Sequence, residues 1–64
     1  MRIVRLKEVI DVTGLAKSTI YKFIGDGRFP KPVSLGDRCV GWVEGEVTDW
    51  ILAKIKDRDL AASA

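Results

Sequence analysis

Several side chains between residues 17 and 22 combine hydrogen-bond donors with a spacing that brings them together. In A-K-S-T-I-Y-K-F-I, the apolar residues recur at the helical interval, so the polar ones share the opposite face of a helix: Lys17, Ser18, Tyr21 and Lys22. Thr19 adds a second hydroxyl near the helix N-terminus, where backbone N–H groups and the helix dipole favour a phosphate. Two ammonium groups, hydroxyls and a phenol suit a ligand that offers phosphates and hydrogen-bond acceptors.

Two short amphipathic helices must position these donors. In L-K-E-V-I-D-V-T, one helix face collects Leu6, Val9, Ile10 and Thr13, which predicts a first helix over about 6–12. The pattern of A-K-S-T-I-Y-K-F-I predicts a second helix over about 17–24. Neither begins with a good N-cap residue. The Thr13-Gly14-Leu15 bend between them is typical of a helix-turn-helix, whose second helix enters a DNA major groove. The alternative is that the donors are only the solvated face of a surface helix.

A hairpin and a third helix complete the predicted domain. Val33 and Leu35 alternate on one face, as do Val40 and Trp42, so all four are expected to point into the core. A two-residue loop, 36–37, puts Arg38 on the buried side, whereas a four-residue loop, 36–39, puts it at the exposed tip. We favour the four-residue loop. The pattern predicts a third helix over about 44–57 or beyond, an extended arm over 1–5 and a frayed tail over 58–64.

The hairpin cations extend the predicted surface. Arg38 at a hairpin tip suits a narrow minor groove, and the alternative is a solubilising loop charge. Arg28 and Lys31 flank the hairpin and are assigned to DNA phosphates, although screening surface charge explains them nearly as well. Arg2 and Arg5 form a plausible arm contact with DNA, but ordinary surface charge is the better explanation.

The composition fits one small domain over residues 1–64. At 64 residues the chain needs its large aromatic residues as core, which leaves Tyr21 as the exposed aromatic. The net charge is only +2, but residues 1–43 hold eight basic against four acidic residues and residues 44–64 hold three against five. The basic excess therefore accompanies the two-helix segment, as a polyanion-binding surface requires. The absence of a long apolar run or signal-peptide pattern predicts a soluble, intracellular protein.

The residue inventory argues against catalysis. With no histidine and one cysteine, the chain cannot supply a structural zinc site or a Ser-His or Cys-His nucleophile pair. The carboxylates are scattered singly, and a chain this short has little room for a substrate pocket. We therefore expect no catalytic residues, no metal and no cofactor.

Several segments together resemble a known family. R-L-K-E-V, T-G-L-A-K-S-T-I-Y-K-F-I, G-R-F-P-K-P-V-S-L-G and G-W-V-E-G-E-V-T-D-W-I are similar to the AlpA-type regulators of prophages, within the excisionase-like and MerR-like winged helices. The resemblance implies a mainly helical winged helix-turn-helix that binds DNA in the cytoplasm. It also implies which positions bind, with the recognition helix over 17–22 and Arg38 in the wing. Ala16 and Gly45 depart from the family pattern, which puts in doubt a helix cap and local helix stability.

The resemblance leaves more than one function open. It implies a transcriptional regulator of integrase or excision genes, or an excisionase that bends attachment-site DNA. A protein-interaction module without DNA binding is a further alternative. One module offers about four to six phosphate contacts, so we expect copies on adjacent repeats, or integrase or RNA polymerase, to add affinity. No heptad follows the third helix, so a long coiled-coil dimer is not predicted.

Overall fold

A computed structural model describes residues 1–63 and has three helices beside a small antiparallel sheet. The elements in chain order are β1 (Ile3–Val4), α1 (Leu6–Thr13), α2 (Lys17–Gly25), β2 (Val33–Gly36), β3 (Cys39–Val43) and α3 (Glu44–Ser63). The strands lie in the order β1-β3-β2. This arrangement confirms the predicted winged helix-turn-helix, with β2 and β3 as the wing.

The turn between α1 and α2 is built from local hydrogen bonds. Gly14 adopts φ 72°, a left-handed conformation that glycine accepts without cost, and its N–H donates to the Ile10 carbonyl at 2.8 Å. The Thr13 hydroxyl donates to the Val9 carbonyl at 2.7 Å and accepts from the Leu15 N–H at 3.2 Å. The predicted three-residue bend is therefore confirmed.

The core centres on Trp42, which is fully buried. Around it lie the other buried apolar side chains: Val4, Val9, Ile20, Phe29 and Val47. The Trp42 indole N–H donates to the Pro30 carbonyl at 3.0 Å, so its one polar atom is satisfied. Phe23 and Trp50 pack half-buried against this cluster. The prediction that the aromatics other than Tyr21 serve as core is confirmed.

The N-terminal arm is extended, as predicted, but it is docked rather than free. Ile3 pairs with Val43 and Val4 with Trp42, which makes the arm a third strand beside the hairpin. The backbone N–H of Glu44 donates to the Arg2 carbonyl at 2.8 Å. Burial of Val4 against Trp42 accounts for the docking, because the apolar side chain leaves water while the strand gains ladder hydrogen bonds.

The wing corrects two predictions about the hairpin. Its loop is the two-residue turn 37–38, not the favoured four-residue loop, although Arg38 does lie at the tip. The register shifts between Ser34 and Gly36, so Leu35 is the extra residue of a β-bulge. The prediction that Val33 and Leu35 point into the core is wrong, because Val33 pairs with Gly41 on the face opposite Trp42. Both side chains remain over 40% exposed.

Helix α3 continues past residue 57, an extension that the sequence pattern left open. It begins at Glu44, as expected, and continues through Ser63. The fraying predicted for 58–64 concerns how often these last turns open and stays a prediction, with residue 64 outside the described part. Among residues 1–63, no helix joins enough length to enough apolar character to cross a membrane.

Candidate nucleic-acid interface

The outward face of α2 carries the donors that the sequence pattern placed there. At about 100° per residue, an arc of about 140° on α2 contains Lys17, Tyr21, Ser18 and Lys22. All four side chains are exposed, and we call this surface the α2 arc. Thr19 lies about 60° beyond this arc and is half-buried. Ile20, fully buried on the other side, fixes the rotation of the helix. The segregation of faces is confirmed, while DNA contact by these residues stays a prediction.

The first turn of α2 is open to an anion. Ala16 occupies the N-cap position with an extended backbone and makes no side-chain cap hydrogen bond, and the turn contains no acidic residue. The first N–H groups of a helix lack intrahelical acceptors, and the dipole adds partial positive charge there. The Lys17 ammonium and the Ser18 hydroxyl flank these N–H groups. The turn can therefore hold a phosphate with backbone and side-chain donors together.

Tyr21 connects the α2 face to the sheet. Its ring meets the Trp42 ring edge to face, with centroids 6.4 Å apart and planes at 62°. The same side chain remains 40% exposed. One side of the phenol thus packs on the core while the rest faces solvent. Sequence reasoning treated Tyr21 as a DNA contact alone and missed this packing, because no spacing within α2 points to a residue of β3.

Arg38 stands at the tip of the wing in an unusual backbone conformation. Its φ of 58° is the only positive value among the non-glycine residues that the structure describes. The side chain is exposed, and within residues 1–63 no recorded ion pair involves it. An arginine displayed this way suits a narrow groove lined by acceptors.

Arg28 and Lys31 lie beyond the end of α2, and each has other groups near it. The Arg28 guanidinium pairs with Asp26 at 3.1 Å and lies 4.6 Å from the centre of the Phe23 ring. The backbone carbonyl of Arg28 accepts a hydrogen bond from the Trp50 indole N–H at 2.6 Å, which connects this segment to α3. Lys31 lines a shallow groove that also contains carboxylates of α3. Their assignment to DNA phosphates stays a prediction, and the geometry favours it less than for the α2 residues.

Acidic side chains collect at the start of α3. Glu44 and Glu46 lie in its first turn, and Glu44 accepts a short hydrogen bond from Arg2, whose guanidinium also pairs with Glu8 at 3.0 Å. The hydrogen bond to Glu44, helped by the charges of both carboxylates, raises the pKa of Arg2. Arg2 is thus already held by anions, which agrees with the sequence interpretation of it as ordinary surface charge.

Comparisons with known proteins place the chain among phage and prophage proteins. Residues 2–55 match the family model described as "Prophage CP4-57 regulatory protein (AlpA)". The chain is 46% identical over 57 residues to an uncharacterized protein, ORF88, of Enterobacteria phage P4, covering 89% of this chain and 65% of that protein. It is 40% identical over 62 residues to the DNA-binding transcriptional activator AlpA of Escherichia coli K12, covering 88% of this chain and 89% of that protein.

Proposed function

Because the chain belongs to the AlpA family of prophage regulatory proteins, we propose that it binds duplex DNA and regulates integrase or excision genes of a mobile element. The observation that carries the proposal is the α2 arc, in which every exposed polar group between residues 17 and 22 can donate a hydrogen bond and none is acidic. The E. coli relative is described as a DNA-binding transcriptional activator. The proposed place of action is the cytoplasm.

In this proposal, the first turn of α2, the rest of its exposed face and the wing contact different parts of the DNA. The N-terminal turn of α2 binds backbone phosphate through Lys17 and Ser18, with Thr19 beside them. One turn deeper, Tyr21 stacks on a sugar or contacts a thymine methyl, and Lys22 binds a guanine or a phosphate. Arg38 enters the adjoining minor groove. The proposal assigns no catalytic step to this surface.

Selection of bound sequences from a random duplex pool tests the proposal. We expect enrichment of a short site and, on that site, a log K against log salt slope of about −4 to −5, because about five phosphates are neutralised. Flat salt dependence with no enriched sequence would contradict DNA binding and would favour a protein-interaction module instead.

Two assays on the selected site separate regulation from recombination. A promoter reporter is expected to respond to the protein whether or not the attachment site is present. An excisionase is expected instead to bend attachment-site DNA, seen as an energy-transfer change between labelled ends. Added integrase or RNA polymerase that raises affinity identifies the partner that supplies the remaining contacts.

A further inference from the structure

The outward face of the sheet is apolar where an antiparallel sheet exposed to water is usually polar. Directly paired strand residues share a face, so Ile3, Val33 and Val43 lie on the side opposite Trp42. Leu35 joins them through the bulge. We name these four residues the outer sheet patch. Three of them, all but Val43, are 37–46% exposed.

The lack of a side chain at Gly41 lets the residues of this patch pack closely over β3. A Cβ at position 41 would lie 2.5 Å from the Ile3 Cγ2 atom and 3.0 Å from a Leu35 Cδ atom. The missing side chain lets those two residues close over β3 from opposite sides and leaves Gly41 itself buried. The patch is therefore a packed, continuous apolar surface and not a set of isolated aliphatic residues.

Charges of both signs border the patch. Val33 and Val43 line a shallow groove of about 590 Å³, together with Pro30, Lys31, Glu46 and Asp49. Within residues 1–63, the recorded ion pairs include neither Lys31 nor the two carboxylates of this groove. The groove therefore presents one cation and two anions that remain available to a partner.

We propose that the outer sheet patch is a self-association surface whose occupant is the same patch of a second copy of this chain. A two-fold interface needs a self-complementary surface. Here the apolar centre meets itself, while Lys31 of one copy faces Glu46 and Asp49 of the other. DNA is disfavoured at this face because the two carboxylates repel phosphates. The surface does not depend on the DNA contacts proposed above.

The small size of the patch sets the strength of the contact. Four aliphatic residues and their rim are far fewer than the about 20–30 residues a side of a standard interface, so we expect a weak dimer that forms only at high protein concentration. Such a contact is negligible in dilute solution but raises occupancy when DNA holds two copies close together. This supplies a physical basis for multiple copies on adjacent sites.

Sedimentation equilibrium without DNA, at up to about 1 mM protein, tests the surface. Reductant is included because Cys39 lies on the same strand face and is half-buried. Val33→Thr keeps a β-branched residue in β2 and is expected to weaken the dimer at least tenfold. The matched control is Leu52→Gln, at an exposed aliphatic residue of α3, which is expected to leave Kd within twofold.

Variants that exchange the charges of the groove test the two-fold contact more specifically than Val33→Thr. K31E alone and the double variant E46K/D49K are each expected to be monomeric, because each places like charges across the two-fold axis. Their equimolar mixture is expected to dimerise at least as well as the parent, because opposite charges then meet at both ends. Circular dichroism establishes that each variant is folded before it is mixed.

These experiments test self-association through the outer sheet patch without any DNA present. A parent chain that stays monomeric at about 1 mM overturns the proposal, as does a dimer lost with Leu52→Gln but kept with Val33→Thr. A mixture that stays monomeric also overturns it, and so does a different protein found in this groove in place of a second copy. Duplex affinity is measured separately, on a DNA site that holds one copy of the parent, and reports on α2 and Arg38.

Discussion

Helices α2 and α3 present opposite surfaces to an approaching polyanion. The first turn of α2 has no acidic residue, whereas α3 begins with Glu44 and Glu46, with Asp49 in the next turn. A helix dipole favours anions at both N-termini. In α3 the carboxylates of the chain already occupy that position, while in α2 it is open. The net charge of +2 conceals this difference, so the distribution of charge is the informative quantity.

Trp42→Ala has the largest expected effect, because Trp42 holds both regions in place. Its ring packs against Tyr21 of α2, and its strand leads directly into α3. Removing a buried tryptophan costs about 3–5 kcal/mol, which is comparable to the whole stability of a domain this small. We expect a largely unfolded chain at room temperature by circular dichroism.

The control for Trp42→Ala is Leu52→Ala, at a side chain that is 55% exposed. We expect a change of at most about 0.5 kcal/mol there. A Trp42→Ala variant that melts cooperatively within a few degrees of the parent would show that the two helices do not share one core.

Lys17→Ala combined with Lys22→Ala tests the α2 side of the comparison. Each lysine that neutralises a phosphate contributes about 0.9 to the salt slope. The slope is therefore expected to drop by about 1 if Lys22 binds a guanine and by about 2 if it binds a phosphate, with affinity falling at least about thirtyfold. The matched control, Lys54→Ala combined with Lys56→Ala in α3, is expected to stay within twofold. Fluorescence anisotropy on a labelled duplex measures both. Equal losses from the two pairs would mean that DNA does not distinguish the helices.

Tyr21 allows the two roles of one side chain on α2 to be separated. Tyr21→Phe keeps the ring against Trp42 and removes the hydroxyl, so a loss of affinity at unchanged melting temperature reports a DNA contact. Tyr21→Ala removes both. If the phenylalanine variant binds like the parent while the alanine variant binds poorly, Tyr21 acts by packing, and the predicted contact is wrong.

Arg38→Gly has a smaller expected effect and tests the wing with little structural disturbance. Glycine adopts φ 58° readily, so the substitution removes the guanidinium without straining the turn. We expect a three- to tenfold loss of affinity, concentrated on sites with an A·T-rich flank where the minor groove is narrow. Melting temperature is expected to stay level or rise slightly. A uniform loss across all flanks would point to a phosphate contact instead.

The parts of this fold that sequence predicted are those governed by helical periodicity. The inward faces of α1 and α2, marked by Val9 and Ile20, follow from spacing alone. The turn at Gly14 follows from residue type. These features depend on residues within about four positions of one another, which is the range over which a pattern carries information.

The structure of the wing is harder to predict from sequence, because its strand register depends on residues far apart in the chain. Alternation treats Val33 and Leu35 as one inward face, but the bulge at Leu35 and the pairing of Val33 with Gly41 place both outside. The docking of the arm on β3 likewise joins Ile3 to Val43, 40 positions away along the chain. The α2 arc needed no such contact, and its outward face was therefore predictable, although what it binds was not.

Arg2→Gln has the smallest expected effect. It tests whether a guanidinium that is already paired with carboxylates still contributes to DNA affinity. Arg2 is held by Glu8 and Glu44, so a phosphate must compete with two carboxylates, whereas Arg5 is exposed and has no recorded ion pair within residues 1–63. We expect less than a twofold change in duplex affinity for Arg2→Gln, with a small drop in melting temperature that fades as salt screens the pair. Arg5→Gln is expected to show the reverse, a larger change in affinity than in melting. If Arg2→Gln costs as much affinity as Lys22→Ala, the acidic start of α3 does not shield its neighbours from DNA, and the contrast between the two helices fails.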